Sequence, residues 1–117
     1  MAKTKILIVE DEGIVALDLR TQLRDLGYQI VATVKSGQAA VQQAEQTRPD
    51  LVMMDIRLKG EMDGITAVEQ IRAQFDVPVV YLTAQWDKPT RERARATGAW
   101  PGAEADGEAA GRPWPRR

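Results

Sequence analysis

The chain has 117 residues, 44% of them apolar and 28% charged, which suits one soluble globular domain and leaves no room for two. With 16 basic and 17 acidic residues and a pI near 5.5, it has no basic footprint for a nucleic-acid backbone or an anionic membrane. Zero Cys and zero His exclude disulfides, thiolate metal sites, Ser-His-Asp or Cys-His nucleophiles and a histidine phosphorelay within the chain, so any metal is held by oxygen.

Oxygen-only ligation points to hard cations, with Mg²⁺ ahead of Ca²⁺ or Mn²⁺ where a phosphate is involved. The opening "MAKTK" leads into only four apolar residues, "ILIV", before "EDE", which is no signal-peptide pattern. No apolar run approaches a membrane span, and a cytoplasmic location is expected.

The first predicted strand is "KILIVE", residues 5–10. A helix follows over 13–26, with Val15, Leu19, Leu23 and Leu26 at helical spacing and Gly27 as its stop, and Glu12 can cap it. "YQIVATV" (28–34) reads as the second strand, and Ser36 is placed to cap an Ala- and Gln-rich helix over 37–47. "LVMMD" (51–55) is the third strand and "IRLKGEM" a loop. Asp63 then caps "GITAVEQIRAQF", in which Ile65, Val68 and Ile71 share a face. "VPVVYLTA" (77–84) is the fourth strand, its Pro tolerated at a strand entrance. Alternating strands and helices predict an α/β fold with a parallel, doubly wound sheet and right-handed crossovers.

Residues 83–117 contain no Val, Ile, Leu, Phe or Met, so they cannot supply another buried parallel strand. The fourth strand is then expected at an exposed sheet edge, where "VVYL" favours a homodimer or domain swap.

In open parallel sheets the ligand site lies beyond the carboxyl ends of the strands. Glu10, Asp11 and Glu12 follow the first strand, Asp55 ends the third and Thr83 ends the fourth. Any one acid is more simply a strand end or a helix cap, but three strands delivering polar groups to one rim make a Mg²⁺ site the better joint explanation. It also accounts for an Asp at the end of an apolar strand.

"ILIVEDE", "PDLVMMDIRLKGEMDG" and "VPVVYLTA" together resemble the receiver domain of two-component response regulators, over roughly residues 4–98. The resemblance implies a flavodoxin-like sheet, here in the order 2-1-3-4, and a phosphoacceptor module rather than an enzyme. It implies Asp55 as phosphoacceptor, and Asp11, Asp55 and the Arg57 backbone carbonyl as Mg²⁺ ligands, with Glu10 acting mainly through water. It also implies Thr83 as the switch hydroxyl, Gly64 as the residue that allows the turn into the third helix, and a sensor histidine kinase or phosphotransfer protein as partner.

The resemblance stops after Gly98. A fifth strand ending in Lys-Pro, its aromatic residue and a fifth helix have no counterpart, and no Lys follows Lys88. Lys59 and Lys88 are read as solvated loop charges. The division is therefore a receiver domain over 1–98 and an irregular tail over 99–117, whose Ala, Gly, Pro, Arg and Trp content fits a shifted reading frame or a native linker. Output coupling is expected to be impaired. Two other functions stay open: a receiver-like interaction module without phosphorylation, and a phosphatase of the haloacid dehalogenase type, whose second acid would stand where Arg57 does.

Overall fold

The computed structural model describes residues 3–82 and 88–97, so the expectations for Thr83 and for the 99–117 tail fall outside the described residues. Elements alternate along the chain: β1 (Lys5–Val9), α1 (Gly13–Asp25), β2 (Gln29–Val34), α2 (Gly37–Thr47), β3 (Leu51–Asp55), α3 (Gly64–Gln74), β4 (Val79–Leu82) and α4 (Lys88–Ala96). The four strands pair in parallel in the order β2-β1-β3-β4, as expected for the 2-1-3-4 arrangement.

Side-chain alternation divides the strands between two faces. Leu7, Val9, Val52, Met54, Val79 and Tyr81 join Ile65, Val68 and Ile71 of α3 and Ala40 and Ala44 of α2 in one buried cluster. Ile6 and Ile8 alternate with the first set and are equally buried on the α1 side. Fully burying an Ile or Val contributes about 1.5–3 kcal/mol, so the α2/α3 layer is the stronger support of the sheet.

Two helix starts follow directly from sequence. The Ser36 hydroxyl accepts from the Ala39 N–H at 3.1 Å, and Asp63 Oδ1 accepts from the Thr66 N–H at 2.8 Å. At α1 two expectations need correction. Glu12 occupies the cap position without a side-chain capping bond; its N–H instead donates to Glu10 Oε2 at 3.2 Å. The buried position of α1 is Ala16, flanked by half-buried Leu19 and Leu23, while Val15 is 39% and Leu26 73% exposed. A small side chain at the contact lets the helix approach β1 and β2 closely, which turns Val15 and Leu26 outward.

The predicted ends shift modestly. β1 stops at Val9, β2 starts at Gln29, and α3 closes at Gln74, with Phe75 already extended. Arg48 terminates α2 in the left-handed region (φ 45°), and its guanidinium lies 4.4 Å from the Phe75 ring centroid, tying α2 to the end of α3. None of the described helices is long and apolar enough to cross a membrane.

α4 is attached differently. It is poor in apolar residues, and Ala94 is its buried side chain among those described. The Thr97 hydroxyl donates to the Ala94 carbonyl at 2.6 Å and so accepts from the buried Tyr81 hydroxyl, 3.0 Å away. Burial holds the Tyr81 phenol up at about 12.

Candidate functional site

The register carries three strand ends to one rim. Val9 pairs with Met54 and with Val34, and Asp55 pairs with Leu82, so Glu10, Asp11 and Asp55 leave the sheet side by side. One carboxylate oxygen from each of Glu10, Asp11 and Asp55 lies within 4.8 Å of the others, the one such acidic group among the described residues. Glu10 is 7% exposed, whereas Asp11 and Asp55 are half-buried. The Glu10 N–H donates to the Val34 carbonyl at 3.0 Å, extending the β-ladder past β1 and holding this acid down against β2.

Loss of water around Glu10 pushes its carboxyl up to about 7; the Glu12 N–H works against this, and the Asp55 and Asp11 carboxyls add to it. Asp55 is also raised by burial, an effect eased by hydrogen bonds from Glu10 and the Arg57 N–H and reinforced by the charges of Asp11 and Glu12. Three acids this close repel one another, and a bound cation would compensate their charge.

The widest separation of two direct ligands on Mg²⁺, at bond lengths near 2.1 Å, is about 4.2 Å. Three carboxylate oxygens confined within 4.8 Å of one another are close enough to share one such ion. The donor set, all hard oxygen, has the chemistry this ion requires.

The backbone after Asp55 is folded back on the site. The Arg57 N–H donates to Asp55 Oδ1 at 3.1 Å, which keeps the Arg57 main chain against this carboxylate while its side chain points to solvent. Gly64 then returns to the same place, its N–H donating to the Ile56 carbonyl at 2.9 Å. A Cβ on Gly64 would sit 2.9 Å from both the Asp55 carbonyl carbon and Ile56 Cα, and closer still to the Asp55 oxygen. Gly64 does not have a positive φ. Gly64 thus admits the chain into α3, as expected, through close approach to the Asp55 backbone and not through a positive φ.

Asp63 uses both carboxylate oxygens. Oδ1 caps α3, and Oδ2 accepts from Arg93 Nη1 of α4 at 3.1 Å. Burial tends to raise this carboxyl, but the Thr66 N–H and then Arg93 outweigh it and hold the group below the usual range. Sequence reasoning had no signal for Arg93, which lies 30 residues away and reads as one of several arginines in a polar helix. Lys59 and Lys88 are exposed, as expected, but Lys88 opens α4 and does not lie in a loop. A cleft of about 170 Å³ between α1 and β2 opens beside Glu10, with Leu17, Arg20, Thr33 and Lys35 in its walls; Asp11 and Asp55 lie outside it.

Known proteins share this fold. The chain is 43% identical over 95 residues to the transcriptional regulatory protein PdtaR of Mycobacterium tuberculosis, covering 81% of this chain and 46% of that one. It is 38% identical over 82 residues to the phyllosphere-induced regulator PhyR of Methylorubrum extorquens, covering 69% and 31%. The chain thus spans less than half the length of these relatives. Among solved structures, the signal receiver domain of a modulated diguanylate cyclase from Desulfovibrio desulfuricans superposes with a TM-score of 0.83 at 32% identity, covering 89% of this chain and 82% of that domain. The Vibrio cholerae chemotaxis protein CheY4 superposes at 0.76 and 27% identity, covering 84% and 82%. The profile of the response regulator receiver domain matches residues 6–101, and the chain belongs to that family.

Proposed function

We propose that this chain is a phosphoacceptor signalling module that takes a phosphoryl group on Asp55 in a Mg²⁺-dependent reaction. The donor is a histidine of a sensor kinase or phosphotransfer protein. The observation that carries the reading is the convergence of Glu10, Asp11 and Asp55 oxygens within 4.8 Å at the carboxyl rim of a parallel sheet.

Asp55 is the nucleophile: a carboxylate oxygen attacks phosphorus, the bond from phosphorus to the donor's imidazole nitrogen breaks, and the imidazole leaves with the electron pair. Asp11, Asp55 and the Arg57 carbonyl would hold the cation, with Glu10 acting mainly through water. When bound, Mg²⁺ screens the charge of the acids and of the transferring group. The Arg57 N–H, 3.1 Å from Asp55 Oδ1, orients the carboxylate.

Readout downstream is weaker than uptake in this reading. Thr83 would hydrogen-bond the phosphoryl oxygens, but the chain has no Lys after Lys88 to pair with them, so a charge-assisted contact is lost. The receiver unit is residues 1–98, with 99–117 a separate tail, and the module acts in the cytoplasm. Homodimer contact through the outer edge of β4 belongs to the same reading, since β4 pairs with β3 alone among the described strands.

The test is Mg²⁺ titration of the full chain with and without beryllofluoride, a phosphoryl mimic, followed by Trp fluorescence. Saturable binding that disappears in Asp11→Asn supports the reading. Titration unchanged by that substitution moves the cation away from this rim and favours the alternative, a receiver-like interaction module without phosphorylation.

A further inference from the structure

Packing alone fixes α4 poorly, because among its described side chains only Ala94 is buried. Polar ties therefore set where the helix lies, and one of them leads to the phosphoacceptor. Arg93 Nη1 donates to Asp63 Oδ2 at 3.1 Å, and Asp63 Oδ1 receives the Thr66 N–H at 2.8 Å, so the two partners fix the carboxylate plane between them. The next residue, Gly64, donates to the Ile56 carbonyl at 2.9 Å and abuts the Asp55 backbone too closely to admit a Cβ. Asp55 in turn accepts from the Arg57 N–H at 3.1 Å. Each link from α4 to the Asp55 carboxylate is thus a hydrogen bond or a contact between backbones.

We propose that Arg93 is a positioning residue: acting through Asp63, it fixes the start of α3 and with it the Asp55–Arg57 turn, and so couples occupancy of the acidic site to the placement of α4. The proposal rests on the reading of that site as a Mg²⁺-binding phosphoacceptor. An exposed ion pair is usually worth little, and these side chains are 51% and 36% exposed. This pair differs in that its acid is also a helix cap, and the capped helix begins against the phosphoacceptor backbone, which leaves little slack to absorb a shift. Contiguity is not yet coupling, so the test is a mutant cycle.

The cycle uses Arg93→Ala, Asp63→Ser and the double variant, with Arg93→Lys as a conservative control. A serine in place of Asp63 caps a helix about as well as the aspartate but offers Arg93 no carboxylate. Mg²⁺ dissociation constants come from calorimetry on the full chain, alongside urea stability. Arg93→Ala and Asp63→Ser are each expected to weaken Mg²⁺ binding by about twofold to fivefold, the range an exposed pair supports. The double variant should be no weaker than either single one, and Arg93→Lys should retain most of the affinity. By reciprocity, Mg²⁺ should slow amide exchange in α4 of the wild type and do so less in Arg93→Ala. Equal affinities in wild type and Arg93→Ala, or fully additive losses, overturn the proposal. If the wild type takes up no Mg²⁺, the functional reading fails, and exchange at Thr66 and Ala67 in the metal-free chain decides the positioning role. Faster exchange in Arg93→Ala supports it and unchanged exchange overturns it.

Discussion

Gly64→Ala is the sharpest perturbation of the site that leaves every proposed ligand in place. The new methyl would stand 2.9 Å from the Asp55 carbonyl carbon and from Ile56 Cα and closer still to the Asp55 carbonyl oxygen, where ordinary contact begins at 3.4 Å, so the oxygen sets the shift and backbone must move by well over about half an ångström. Neither obstacle is a side chain that can swing away: one ends β3, and the other is held by the hydrogen bond from Gly64 itself. Overpacking of this kind costs about 3 kcal/mol, the upper part of its usual range. The better helix propensity of Ala and its smaller unfolded-state entropy return roughly 0.5–1 kcal/mol. A net loss of about 2 kcal/mol follows, near 10 °C in melting temperature for a domain of this size. Gly37→Ala is the control, because its Cβ would meet Met62 side-chain atoms at 2.9–3.1 Å, and a methionine can repack. Urea and thermal unfolding of both variants, with Mg²⁺ titration, check the expectation. Gly64→Ala as stable as Gly37→Ala, with unaltered Mg²⁺ binding, would refute it.

Further expectations concern pH and assembly. Glu10 titrates higher in the folded chain than its ordinary value of 4.5, so the folded state binds more protons between about 4.5 and 7. Its contribution to metal-free stability is therefore present at low pH and lost as pH rises through about 7. Glu10→Gln should flatten that dependence in denaturation curves taken from about pH 5 to 8 and raise stability at the alkaline end; an unchanged slope would assign the shift elsewhere. Sedimentation over a concentration series should show self-association through β4, and a strictly monomeric, cooperatively melting chain would remove that edge as an interface.

Much of this could be read from sequence because the signals were local. Ser36 and Asp63 announced their helices through capping chemistry, and short apolar runs bounded by turn residues defined the strands. The acids were legible jointly, since a parallel sheet delivers the ends of its strands to one rim whatever the details of packing. The misread elements depended on distances that sequence does not encode. α1 carries apolar residues at Ile14, Val15, Leu17, Leu19 and Leu23, with Leu26 just beyond, more than one face can bury, and a small residue between them, Ala16, became the contact. Gly64 could be recognised as required but not why, because nothing in a sequence reports how near a strand carbonyl passes. The Asp63–Arg93 pair joins residues far apart in the chain, and neither charge pattern nor propensity distinguishes Arg93 from its neighbours.

The central claim, that Asp55 accepts phosphoryl groups, is tested most directly by intact mass after incubation with acetyl phosphate and Mg²⁺. The account predicts one acid-stable, base-labile phosphoryl group on the wild-type chain and none on Asp55→Asn. A phosphoryl group that persists in Asp55→Asn, or its absence from a folded, Mg²⁺-loaded wild-type chain, would contradict it.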